Sequence, residues 1–211
     1  MAAARAAQRA PGAKNCPTPA KGDRAGRAAT WQTASVIPSL TLPATLHTSA
    51  RELTLRRATE NDLAALMRLL ADDPISAARG DQADASDTEA YRSALLEITA
   101  DAGNELLVVT DDGGELMGTM QLTRIPGMAR RGSTRLLVEA VRVRSDTRSG
   151  GIGTAMMRWV TDTAAPALGA SLVQLTSDEA RKDAHRFYER LGFVGSHRGF
   201  KYPIPSSAGS K

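Results

Sequence analysis

The run Arg148-Ser149-Gly150-Gly151-Ile152-Gly153-Thr154 constrains this 211-residue chain more than any other feature. It separates a strand-like run, Leu136 to Val143, from a helix-like run, Thr154 to Leu168. Glycines let the backbone turn tightly and approach a ligand closely, and the first amides of the following helix have no intrahelical acceptor. With the positive end of the helix dipole added, the natural guest is a phosphate or pyrophosphate. No Lys-Ser or Lys-Thr follows the glycines, as a nucleoside-triphosphate loop would need, and the three-glycine dinucleotide spacing is absent.

What remains is Arg-x-x-Gly-x-Gly, carried by Arg148, Gly151 and Gly153. Some thirty residues on, a strand-like run Leu172 to Ser177 precedes Ala184-His185-Arg186-Phe187-Tyr188-Glu189-Arg190-Leu191-Gly192-Phe193. The pair resembles the two coenzyme-side motifs of the GNAT N-acetyltransferase superfamily, from about Arg51 to Tyr202. That resemblance implies acetyl-coenzyme A as co-substrate, with an acetyl group passed to a primary amine by direct attack and no metal. A non-catalytic coenzyme A-binding sensor or interaction module is the alternative reading.

Composition divides the chain. Residues 1–50 hold six basic residues against the single acid Asp23, so the whole-chain excess of +4 lies in that segment. The rest has no basic stripe with interleaved aromatics, which argues against a nucleic-acid partner. Residues 1–50 are rich in Ala, Pro, Ser and Thr without an apolar period, and are expected to be a disordered basic N-terminal extension. Their acid-poor, Arg-rich start also resembles an organellar transit peptide, although no amphipathic helix accompanies it. No apolar run approaches a membrane span, so a membrane partner is not expected. Cys16 is the only cysteine, which excludes an intrachain disulfide and a Cys-based zinc site and suits a cytoplasmic protein.

Periodicity predicts a strand at Glu52–Arg56 and a helix capped by Thr59, carrying Leu63, Leu66, Met67 and Leu70 and ending near Asp73-Pro74. A loop to Asp87, a helix over Thr88–Ala100, and a hairpin around Asp111-Asp112-Gly113-Gly114 follow. The strand containing Glu139, the glycine turn with its helix, a strand at Leu172–Thr176, a helix at Glu179–Leu191 and a last strand at Phe193–Tyr202 complete the domain. The order β-α-α-β-β-β-α-β-α-β predicts an α/β protein, more closely an α+β fold with a mixed sheet splayed at its centre. The domain is expected to span residues 51–202, with 203–211 a flexible C-terminal tail, and to fold without residues 1–50.

The resemblance assigns tasks residue by residue. Amides of Gly150, Gly151, Ile152, Gly153 and Thr154, in a turn shared with Ser149, hold the pyrophosphate beside Arg148, and the backbone of Val141 and Val143 pairs with the pantetheine arm. Tyr188 matches a tyrosine that protonates the departing thiolate; a phenol near pKa 10 suits that role, and packing at a helix end is its bland alternative. Glu139 interrupts an apolar strand, where a carboxylate is costly unless exposed, paired or functional. Alternation puts it on the face of Val141 and Val143, as a base, a water-orienting residue, or the ion-pair partner of Arg142 or Arg135. Arg181, seven residues before Tyr188, is expected on the same helical face, toward coenzyme A phosphate or the acceptor, or simply exposed. His185 and His197 lack a partner motif. Asp72 to Asp87 and Pro126 to Thr134 would select the acceptor, but the first loop is acidic and the second carries Arg130 and Arg131. A homodimer completes the partners expected.

Overall fold

The computed structural model describes residues 36–204 apart from Arg79 and the side chain of Ser76. Residues 1–35 and 205–211, which hold Cys16 and most of the two expected tails, lie outside the described residues.

Six strands form one sheet in sequence order: β1 (Ala44–His47), β2 (Glu52–Arg57), β3 (Asn104–Thr110), β4 (Leu116–Ile125), β5 (Thr134–Val143) and β6 (Ala170–Leu175). Neighbours run antiparallel except β5 and β6, which are parallel. That last pair is joined only from Thr134 to Val138 on β5. β6 ends at Leu175, opposite Val138, so β5 from Glu139 onward has no strand beside it on that side among the described residues.

Helices cover both faces. Asp62 accepts hydrogen bonds from the amide and hydroxyl of Thr59, at 2.8 and 3.0 Å, in a capping box at the turn leading into α1 (Leu63–Ala71). Arg56 grips the same carboxylate with two bonds of 2.7 and 2.8 Å and holds it below the usual carboxylate range. A short α2 (Pro74–Ala77) leads to α3 (Thr88–Ala100), which packs with α1 over Val108 and Leu116. After a tight turn, α4 (Ala129–Gly132), the other face receives a helical run. It comprises α5 (Ile152–Trp159), a π turn over Val160–Ala164 and α6 (Ala165–Ala167). Ile152, Met156, Met157 and Val160 bury themselves there against a core cluster that includes Leu55, Leu107, Met120 and Leu136. The last helix, α7 (Lys182–Arg190), ends at left-handed Gly192. No helix among the described residues is long and apolar enough to cross a membrane.

Both ends of the expected domain need correction. Residues 37–47 belong to the sheet and its core: β1 pairs with β2, and Ile37, Leu40 and Leu46 are buried. Arg57 fastens this segment by donating to the carbonyls of Pro38 and Leu40 while its Nε meets buried Glu105 at 2.7 Å. With apolar residues scattered among Pro, Ser and Thr, the segment shows no period; tertiary burial makes it ordered. At the other end no strand forms over Phe193–Tyr202, because this backbone pairs with no strand among the described residues.

A chain shortened to begin at Arg51 loses three buried aliphatic side chains worth roughly 1.5–3 kcal/mol each, a large share of the ~5–15 kcal/mol that holds a domain together. Thermal denaturation should show it unfolded or much less stable, whereas a chain beginning at Val36 keeps the full-length melting temperature. Equal stability of the two would contradict the role given to residues 37–47.

Candidate functional site

The site begins where β5 breaks its own alternation. Gln121 faces Glu139 and Thr119 faces Arg142, so Ala140 and Val141 together oppose Met120. This is a β-bulge, with Ala140 in the left-handed region at φ 49°. The extra residue resets parity. Val141 and Val143 pack toward the core beneath α5, whereas Glu139 shares the opposite face with its partner Gln121 and with Leu106. The expectation that Glu139 lies on the face of Val141 and Val143 is therefore wrong. Glu139 is exposed and, among the described residues, forms no ion pair with Arg135 or Arg142. Arg135 instead donates to Gln174, and Arg142 donates to the carbonyl of Val141 at 2.9 Å.

The glycine turn follows β5 directly. A single turn over Ser145–Thr147 leads to Arg148, left-handed Ser149 at φ 70°, Gly150, and left-handed Gly151 at φ 82° as the N-cap of α5. Gly151 is required by that backbone angle. Gly153 is favoured by a neighbour, since a Cβ there would lie 3.3 Å from the Phe187 ring, which would have to shift by a few tenths of an ångström. Among the described residues no acceptor meets the amides of Ser149, Gly151, Ile152, Gly153 and Thr154. The amide of Gly150 differs from its expected role, because it already donates to the carbonyl of Thr147 at 3.3 Å. Arg148 is exposed, its Nε on the carbonyl of Val143 at 3.3 Å. Five unpaired amides at the positive end of a helix form a seat for an anion.

Tyr188 stands in the last helix with Phe187 and Phe193 set edge-on to its ring, centroids 5.1 and 5.8 Å away. Burial pushes its phenol above the ordinary value of 10, while the charges of Arg142 and Arg181 pull it back. Arg142 is itself buried enough that its guanidinium is lowered, with the positive charge of Arg181 adding to the effect and Asp73 and Asp81 opposing it.

Arg181 is not on the helix with Tyr188. It caps α7, and its guanidinium makes two bonds of 2.5 Å to the carboxylate of Asp73, which is only 8% exposed. The same-face argument fails because the helix starts one residue later, at Lys182. Asp72, the next residue back, accepts the amide of Ser145 at 2.8 Å. One corner at the end of α1 thus ties to both the glycine-turn side and the α7 side of the site. Asp81 accepts from the Tyr91 hydroxyl at 3.2 Å, and Asp84 accepts from Ser86. Of these carboxylates Asp73 is paired with an arginine, whereas Asp84 keeps its charge at the exposed surface. His185 Nε2 lies 2.9 Å from the carbonyl of Asp178, and His197 Nδ1 lies 2.8 Å from the Ser196 hydroxyl.

The sequence puts Asp72 and Asp73 in an acidic acceptor loop but does not show their ties to Ser145 and Arg181, nor the central place of Arg142. A charged residue inside a strand was the available signal for Arg142, but the bulge that aims it leaves no pattern in the residues.

The family model described as acetyltransferase (GNAT) family matches residues 63–193. A transcriptional regulator from Bacillus halodurans C-125 is 39% identical, with a TM-score of 0.68, over 72% of this chain and 99% of that one. An acetyltransferase from Trypanosoma brucei is 24% identical over the same shares, with a TM-score of 0.58. Glucosamine-6-phosphate N-acetyltransferase from Arabidopsis thaliana, 17% identical over the same shares, has a TM-score of 0.57; it shares the fold. No curated protein matches the chain.

Replacing Asp73 by Ala leaves the charges of Arg181 and Arg142 close together with less compensation, so stability should fall by about 3–5 kcal/mol in denaturant unfolding. Adding Arg181→Met to that variant should recover part of the loss, since it removes the stranded charge. Independent, additive losses would show that the pair does not hold the site together.

Proposed function

This chain belongs to the GNAT acetyltransferase family, and we propose that it is a cytoplasmic N-acetyltransferase acting on a primary amine of a small molecule or peptide. The observation that carries this reading is the continuity of the stretch of β5 beyond the β6 pairing, the unpaired amides at the start of α5, and Tyr188.

Acetyl-coenzyme A supplies the thioester to be attacked and the thiolate that leaves. Its pyrophosphate suits the amides of Ser149, Gly151, Ile152, Gly153 and Thr154, with Arg148 adding screening charge. The backbone of Val141 and Val143 lies on the stretch of β5 beyond the β6 pairing, and an amide-bearing arm would add to it as a strand does, displacing or sharing the bonds that Arg142 and Arg148 make to the two carbonyls. Arg181, engaged by Asp73, contributes positive charge near Tyr188 in place of a direct phosphate contact.

Tyr188 keeps its proton on the phenol oxygen because the ring is largely buried, and the charges of Arg142 and Arg181 ease its loss when a nearby sulfur becomes basic. Attack requires a neutral amine, so the ammonium of the acceptor must first lose a proton. Glu139 is the carboxylate on this stretch of β5, exposed to solvent and able to take that proton directly or through water.

The 39% identical relative described as a transcriptional regulator favours a second reading, a coenzyme A-binding sensor without turnover. A thiol-release screen over amino acids, polyamines, amino sugars and peptide N-termini separates the two; binding of acetyl-coenzyme A with no release on any amine supports the sensor. With an acceptor in hand, Tyr188→Phe should retain cofactor binding while turnover falls about 10- to 10⁴-fold. Glu139→Gln should lose most activity at low pH and regain it as pH rises and the acceptor becomes neutral unaided. Full turnover in Tyr188→Phe would remove the phenol from the mechanism.

A further inference from the structure

The bulge that resets β5 also changes which charges are neighbours. In an uninterrupted strand Glu139 and Arg142, three positions apart, would point to opposite faces. Here Ala140 and Val141 together oppose Met120, so the next residue on the face of Glu139 is Arg142. Their partners on β4 are Gln121 and Thr119, two positions apart. At about 3.4 Å per residue, that sets the backbone of the acid and of the base roughly 7 Å apart along the sheet.

This face is apolar and covered where α1 and α3 lie over Val108 and Leu116. Around Glu139 it is polar and open: Glu139 is exposed, and half-buried Gln121 and Asn104 lie beside it, the Gln121 amide 3.4 Å from the Asn104 oxygen. Opposite charges on one face ordinarily close into an ion pair, yet Glu139 forms none among the described residues. Arg142 is half-buried, and its charge acts on the Tyr188 phenol. Of the nearby carboxylates, Asp73 accepts both bonds of Arg181 and Asp81 accepts from Tyr91. Their negative charges are outweighed by burial and by the charge of Arg181, which leave the Arg142 guanidinium lowered. An anion arriving beside Arg142 is therefore stabilised.

We propose that the amine acetylated at this site is a zwitterion, its ammonium seated at Glu139 and an anionic group a few bonds away, carboxylate or phosphate, seated at Arg142. This rests on the acetyltransferase reading and adds the class of acceptor to it. An anion held at Arg142 leaves the nitrogen beside the carboxylate that takes its proton, on the stretch of β5 along which the thioester would arrive. In the transfer a carbon–nitrogen bond forms as the carbon–sulfur bond breaks. Of the two protons the ammonium gives up, one ends on the thiol and the other reaches solvent through Glu139. The amide product has no cationic pole for Glu139 to hold, which favours its departure. A polyamine lacks the group that Arg142 reads and brings further positive charge toward Arg142 and Arg181, so the same charges select against it.

Thiol release by the full chain is measured on matched acceptors: alanine and β-alanine against ethylamine, and 2-aminoethyl phosphate against ethanolamine. After correction for the fraction of neutral amine, the anionic member of a pair should show a kcat/KM about 10- to 100-fold higher, as one charge-assisted hydrogen bond supplies. The pair with the larger ratio identifies the anion. Arg142→Gln should bring the ratio close to one, and Arg142→Lys should restore part of it. Any effect of Arg142 on Tyr188 falls on both members of a pair and cancels in the ratio. If the variants precipitate, a titration of the coenzyme A-loaded wild type decides. N-acetylalanine should move the Nε–Hε resonance of Arg142 at a concentration about tenfold or more below that of N-ethylacetamide. That result with no thiol release from any amine would remove the acetyltransferase reading and leave the anion seat standing. Ratios at or below one, ratios unchanged in Arg142→Gln, or an Arg142 resonance indifferent to N-acetylalanine would overturn the zwitterion.

Discussion

The end of the β5–β6 pairing at Val138, where β6 stops, is the constraint on which the rest of the site depends. A parallel pair that continued to Val143 would bury the backbone of Val141 and Val143 in ladder hydrogen bonds. The bulge at Ala140 bends the strand close to the point of separation and turns successive side chains to different faces. The glycine turn then begins at the end of the freed stretch. A stretch of β5 free of the β6 pairing, its Val141 and Val143 carbonyls met by the side chains of Arg142 and Arg148, therefore runs straight into a helix start whose amides are unpaired among the described residues, an arrangement suited to an extended, amide-bearing, phosphorylated molecule.

Electrostatics closes the other side. Arg142 and Arg181 lie near enough to depress one guanidinium by the charge of the other, and Asp73 makes that proximity tolerable through a bidentate bond from a buried carboxylate. Such a pair adds little net stability against water, but removing one partner is expensive. The consequence is positional. The end of α1 is tied through Asp73 to the start of α7 and through Asp72 to Ser145, so the loop flanking the site cannot drift from Tyr188 without breaking charged contacts.

Much of this was legible in the residues. The glycine turn, the hairpin at Asp111-Asp112-Gly113-Gly114 and the helix over Thr88–Ala100 carry local signals that tertiary context did not overturn. What escaped reading had long-range causes. The ordered stretch 37–47 owes its structure to burial and to the arginine clamp from Arg57. The face of Glu139 was inverted by one residue inserted in a strand, which leaves composition and periodicity almost untouched. Arg181 falls just outside the helix of Tyr188, and its spacing alone does not show that the helix starts at Lys182. The missing last strand shows the same limit, since Phe193–Tyr202 has strand-like residues but takes up no strand pairing among the described residues.

The central claim is that the unpaired β5 edge and the start of α5 form one continuous binding surface. The direct measurement is a nuclear magnetic resonance titration of the ¹⁵N-labelled chain with acetyl-coenzyme A, followed amide by amide. The account predicts saturable shifts concentrated at Val141, Val143, Ser149 and Gly151 to Thr154. Shifts gathered instead around the cleft lined by Arg68, Asp72, Glu115 and Arg144, or none at saturating ligand, would contradict it.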